Sequence, residues 1–230
     1  MKNTLLIVRR ELWSYARTPS GYIIAASILL INGLLFNTRA VGSTPQFSSE
    51  VLQQFLIDAG GTTMLAAVLF SMRLLAEERS QGTQVLLFTS PIREGEIVFG
   101  KYLASLAFLS LVVLLSLYLP SLIFIRGKVS WGHIAAGYLG MLLLGASTLS
   151  IGLFASSLVK NPFLAVLLAA VFVTVLELCW WIAQITDAPL SSVIAYAAPY
   201  MKHFHPFRRG LVQLSDIAFY ASTIYLSLLA

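Results

Sequence analysis

The chain has 230 residues, of which 58% are hydrophobic and 11% charged, with a formal net charge of +5. A soluble domain carries about a quarter charged residues, so this composition excludes a water-soluble fold and makes lipid the solvent. The positive charge forms no basic stripe for nucleic acid, and the single cysteine, Cys179, excludes an internal disulfide.

A bilayer core of about 30 Å needs about 20 residues of helix. Residues 18–38 and 102–125 carry no charge, and 129–159 carries none apart from His133. Backbone amides in lipid must be paired within the chain, which leaves helix bundles and closed barrels. The runs are continuously apolar rather than alternating, which excludes barrel strands. The fold class predicted is an all-α membrane protein with six transmembrane helices, forming one transmembrane domain over residues 1–230.

Residues 3–17 read as an interfacial helix lying in the membrane plane, with Leu5, Val8, Leu12 and Tyr15 on one face and Arg10, Ser14 and Arg17 on another. Trp13 suits the headgroup level, and Thr18-Pro19 breaks the helix. The first span, about 21–36, is no signal peptide, because a charged helical segment precedes it and further spans follow. A polar loop is expected over 37–57, then a second span over about 59–76 that continues as helix into Glu77 and Glu78. Ser90-Pro91 reads as an N-cap with proline at the first helical position, opening the third span, about 97–125. The fourth span covers about 133–157 and the fifth about 163–185, separated by a turn at Lys160-Asn161-Pro162.

Residues 186–214 hold Pro189, Pro199 and Pro206 among many aromatics, a pattern suited to two short re-entrant helices. A sixth span begins near Asp216 and runs over 216–230. Only 14 residues follow Asp216, so either the chain lacks its natural end or this helix barely crosses.

With the N-terminus inside, nine Lys/Arg (Lys2, Arg9, Arg10, Arg17, Arg73, Arg79, Arg93, Lys101, Lys160) lie on inner segments. Six (Arg39, Arg126, Lys128, Lys202, Arg208, Arg209) lie on outer ones. Early charges weigh most, which places the N-terminus and residues 77–101 in the cytoplasm.

Residues 77–101 read EERSQGTQVLLFTSPIREGEIVFGK, far more than a turn between spans requires. The length suits a helix lying flat on the membrane surface and exposed to a soluble partner. Leu86, Leu87 and Phe88 would be costly in water. Either a partner covers them or they dip into the interface as an anchor. Glu77, Glu78 and Arg79 either join that docking surface or end a helix in water. Gly95 to Lys101 matches the spacing of a phosphate loop, but Tyr102 stands where Ser or Thr is required and no strand precedes it. Any ATP is therefore held by another subunit.

Glu177 is a carboxylate inside an apolar run, which marks a pathway, a paired site or a hydrogen-bonded structural group. Its neighbours Trp180 and Trp181 favour a position near an interface. Arg73 is expected to snorkel to the headgroups. His203 and His205 lack a third ligand and read as part of an aromatic interfacial segment rather than a metal site. Gly152 with Ser156, and Ala136 with Gly140, have the spacing that lets helices approach closely.

Several motifs in order carry a resemblance: Glu78-Arg79, Gly82-Thr83, Leu86-Leu87, Ser90-Pro91-Ile92 and Gly100-Lys101. Arg10 to Leu12, the Thr-Pro before the first span, Leu153 to Pro162, His203 to Gly210 and Asp216 extend it over nearly the whole chain. Together they resemble type-two ATP-binding-cassette (ABC) permeases, closest to the gliding-motility and nitrous-oxide-reductase-maturation branches. The chain departs where the family often has Glu, at Val85, which puts one charged partner contact in doubt.

The resemblance implies a permease subunit of an exporter in the bacterial cytoplasmic membrane, without catalytic residues of its own. ATP and Mg would sit on a partner ATPase, and a second permease chain would complete the membrane part, with a periplasmic accessory protein as a further candidate. It implies a coupling helix over Thr83–Thr89 that docks on the ATPase. The candidate coupling residues are Glu77, Glu78, Arg79, Gly82, Thr83, Leu86, Leu87, Phe88 and Pro91, with Arg10 and Glu11 of the first helix. The pathway would lie between two permeases, lined by spans two and five, with Glu177 as a candidate lining residue. Two other readings compete: an ABC assembly that transmits force or signal without transport, and an intramembrane enzyme, for which converging polar groups are lacking.

Overall fold

The computed structural model describes residues 2–40, 47–81, 94–124 and 127–229, and every regular element among them is helical. In chain order these are α1 (Lys2–Arg17), α2 (Pro19–Ala40), α3 (Ser48–Ser71), α4 (Ala76–Gln81), α5 (Glu94–Leu115), α6 (Tyr118–Ile123), α7 (Trp131–Leu158), α8 (Pro162–Ile185), α9 (Leu190–Ala195), a π-helical turn (Pro199–Phe204), α10 (His205–Arg208) and α11 (Leu214–Leu229). Five stretches are long and apolar enough to cross a membrane: Pro19–Thr38, Ser48–Ser71, Gly95–Ile123, Trp131–Leu158 and Pro162–Ile185. The predicted sixth span is the shorter apolar helix Leu214–Leu229.

The central helix is α7, packed against α3, α5, α8 and α11. Its small residues set those distances. A Cβ on Gly152 would lie 2.4 Å from Cβ of Ser71, and one on Gly140 2.5 Å from Cβ of Phe207. The small-residue spacings read from the sequence therefore fall at real helix contacts. By contrast α2 and α8 leave most of their apolar surface uncovered by the rest of the chain, as expected of helices facing lipid or another subunit.

Two expectations are corrected. Residues 48–57 are helix rather than loop, because Leu52, Phe55 and Leu56 bury one face while Gln53, Gln54 and Glu50 share the other sides. The helix does not run on from the second span into Glu77. It stops at Ser71, and the chain turns through residues 72–75 before α4. The hydroxyl of Ser156 at the end of α7 accepts from the amides of Leu75 (3.2 Å) and Ala76 (2.9 Å), which satisfies the first donors of the new helix. On α1 the side packed against the rest of the chain is formed by Ile7, Glu11 and Tyr15, while Leu5 is 73% exposed.

Other boundaries follow local chemistry. Asn161 Oδ1 accepts from the amide of Phe163 at 2.9 Å, so Asn-Pro caps α8. Pro120 lacks an amide proton and its ring opposes the carbonyl of Ser116, which explains the break between α5 and α6. The predicted Ser90-Pro91 cap lies outside the described residues.

Candidate functional site

Two polar constellations occupy opposite ends of α7. The first surrounds the points where the chain enters and leaves residues 82–93. Arg79 of α4 donates to the carbonyl of Ser157 at the end of α7. Arg73, in the turn before α4, donates to Thr18 Oγ1 at 2.8 Å and Ser20 Oγ at 2.7 Å, with its guanidinium 5.4 Å from the Tyr15 ring centroid. It is thus held inside the chain by α2 and α1, where a headgroup contact was expected. The Tyr15 ring stacks on Phe108 at 5.2 Å, and its hydroxyl lies 2.7 Å from Ser105 Oγ of α5.

The same corner contains a buried ion pair. Glu11 Oε1 lies 3.3 Å from Lys101 Nζ and 2.7 Å from an Arg10 guanidinium nitrogen. The Lys101 side chain is only 2% exposed. A buried ammonium requires a partner, so Lys101 fixes α1 across α5. Burial alone would raise the Glu11 carboxyl, but the Lys101 and Arg10 charges outweigh it and hold the group below its usual range. Thr4, Ile7 and Gly100 bring the two helices together: a Cβ on Gly100 would lie 2.9 Å from Cγ2 of Ile7. Of the candidate coupling residues, Arg10 and Glu11 pair with each other and Glu11 with Lys101, while Arg79 is bonded to Ser157. Glu77 and Glu78 belong to α4. Gly82, Thr83, Leu86, Leu87, Phe88 and Pro91 lie outside the described residues.

The second constellation orders residues 196–220 at the other end. Glu177 accepts from the amides of Tyr200 (2.7 Å) and Met201 (3.3 Å), so its carboxylate caps the π-helical turn from the side of α8. The Tyr200 hydroxyl donates to the Ile57 carbonyl at 2.6 Å, and that of Tyr220 to the Pro199 carbonyl at 2.7 Å. His203 is buried, with Nδ1 2.7 Å from Asp216 Oδ1 and Nε2 3.0 Å from the Tyr196 carbonyl, and its ring stacked 3.8 Å from Phe219. Both imidazole nitrogens are taken within the chain. Among the described residues no three His, Cys, Asp or Glu gather as a metal site would need. His205, two residues on, is only partly buried and does not join His203.

Sequence reasoning missed three of these relationships. Glu11 sits on the buried side of a helix whose charges seemed to face outward. Its signal was the chain's one glutamate in α1, adjacent to Arg10. The amide partners of Glu177 carry no side-chain signature. The Asp216 pairing had a trace, an acidic residue opening an otherwise apolar helix.

No curated protein matches the chain. The family described as "ABC-2 family transporter protein" matches residues 25–222, from inside α2 to inside α11, and so takes in most of the first long apolar stretch, the other four whole and the second polar constellation; of the first constellation it takes in Arg73, Arg79, Lys101 and Ser157 but not α1. The chain belongs to the ABC-2 transporter family, as a multi-pass membrane component.

Proposed function

We propose that this chain is the transmembrane permease subunit of an ATP-driven exporter, working with a separate ABC ATPase and a second permease chain. The family match over residues 25–222 carries this reading. In it the chain has six crossings, Leu214–Leu229 being the last, with the N-terminus on the cytoplasmic side of the bacterial inner membrane. Residues 83–89 form the coupling helix, with Leu86, Leu87 and Phe88 seated in the ATPase. ATP and Mg bind on that subunit. In this reading the gliding-motility and nitrous-oxide-reductase-maturation permeases are functional analogues.

The corner built by α1, α4 and α5 supports this assignment. Residues 82–93 leave α4 beside Arg79 and return into α5 seven residues before Lys101. A force on that segment therefore meets helices tied to α1, α2 and α7 by hydrogen bonds and an ion pair. Glu177, with its amide partners, belongs to the scaffold that orders the far end rather than to the pathway.

The test is Leu87→Asp in the assembled complex. A central apolar contact is worth about 2 kcal/mol, so ATPase docking should weaken about thirty-fold while the membrane chain stays folded. A variant complex that assembles and hydrolyses ATP as before would refute the docking assignment.

A further inference from the structure

Beside the start of α7 an open groove of about 470 Å³ runs between that helix and the chain after α10. Ser130, His133 and Arg209 form its polar end, and Ala136, Leu139 and Val212 its apolar wall. The polar end is rigidly formed. His133 Nε2 lies 2.8 Å from the Arg208 carbonyl, which can only accept, so Nε2 donates. Gly210, at φ +79°, passes so close that a Cβ there would lie 3.2 Å from the His133 ring. The glycine is needed both for the backbone angle and for the approach.

Arg209 is not alone. Lys202, His205 and Arg208 precede it within eight residues. Among the described residues no carboxylate forms an ion pair with any of the four. Burial first, and then the Arg208 and Arg209 charges, hold the His205 imidazole below its usual range. These groups repel one another and have no ion-pair partner among the described residues.

The depth of the groove is marked by Trp131, 71% exposed and stacked 4.9 Å from Phe124. Tryptophan concentrates at the headgroup level. The apolar wall opens onto Leu139, Leu211, Val212 and Leu214, all exposed. A ligand that fits carries negative charge at one end and hydrocarbon at the other.

We infer that this groove binds an anionic phospholipid, its phosphate at Arg209 and the Ser130 hydroxyl and an acyl chain along Leu139 and Val212. Arginine binds phosphate through charge-assisted hydrogen bonds, and the exposed apolar wall takes the hydrocarbon.

The test uses the full chain, with whatever subunits copurify, in nanodiscs of phosphatidylcholine containing a minor fraction of phosphatidylglycerol. Native mass spectrometry reads the retained lipid. Wild type should enrich phosphatidylglycerol. Arg209→Gln should lower that enrichment about five-fold, the factor expected for one basic residue near a membrane surface. Leu139→Trp, which fills the apolar wall without changing charge, should lower it as well. Inorganic phosphate added at millimolar concentration should not displace the lipid. Displacement by phosphate alone would show a simple anion site and overturn the lipid assignment. Enrichment unchanged in both folded variants, judged by wild-type elution and unfolding temperature, would overturn the site. A variant that fails to fold is replaced by Val212→Trp or His133→Gln, which touch the same groove from other residues.

Discussion

His203 Nδ1 lies 2.7 Å from Asp216 Oδ1, while its other nitrogen faces the Tyr196 carbonyl. A carbonyl only accepts, so Nε2 must carry a proton. The Nδ1 contact then needs a second proton, on either the imidazole or the carboxyl. The pair ties the π-helical turn to α11 through that shared proton, and Asp216 Oδ2 is buried with no hydrogen-bond partner among the described residues. His203→Leu should strand the Asp216 carboxyl and cost about 3 kcal/mol or more. Asp216→Asn, which can still donate to Nδ1, should cost about 1 kcal/mol. Thermal unfolding in one detergent gives the ranking, and equal losses would contradict it.

Glu177 is expected to act through two amides. Glu177→Leu should leave those of Tyr200 and Met201 without their acceptor, a loss of about 1 kcal/mol at the part-buried Tyr200 amide and less at the exposed Met201 amide. Hydrogen exchange at these two positions should accelerate, with the ends of α8 unaffected. Glu177→Gln retains one acceptor and should fall between. Unchanged protection in Glu177→Leu would mean that the cap is not made.

The Glu11 pair predicts a pH dependence. Its carboxyl is held below the ordinary value of 4.5 in the folded chain. A depressed carboxyl stabilises above its unfolded value and loses that contribution as pH falls through the folded one. Docking of α1 on α5 should therefore loosen as pH drops below about 4.5. Proteolysis near Arg17, or fluorescence of Trp13, reports it. In Glu11→Gln this acid step should vanish and α1 should be looser at neutral pH.

Gly152 should tolerate little. Alanine would place a Cβ 2.4 Å from Ser71, so α3 and α7 must separate. Overpacking of this kind costs about 1–3 kcal/mol. Gly61, on the adjacent helix, has nothing within 4 Å of a Cβ and should accept alanine, which makes it the control in the same unfolding measurement.

Long apolar runs with few or no charges made the five long apolar helices legible, because such a stretch of about 20 residues has few alternatives in lipid. The start of α3 was hidden. Glu50, Gln53, Gln54 and Asp58 look like loop residues until Leu52, Phe55 and Leu56 are seen to face α7 and its neighbours. The break after Ser71 had no local signal, since it depends on Ser156, about eighty residues away in the chain. The burial of Lys101 had no local signal for the same reason: its partner Glu11 is 90 residues distant. Local pattern identifies which segments are greasy. Pairing between polar groups far apart in sequence is set only when the helices meet.

The turn at residues 72–75 means that α4 is not an extension of α3. It hangs from the end of α7, by the Ser156 hydroxyl at its first residues and by Arg79 on the Ser157 carbonyl. A tug on the chain at residue 81 is borne by the best-buried helix of the bundle rather than by the one that precedes it in sequence. Motion entering there would reach α3, α5, α8 and α11 together, since all four lean on α7.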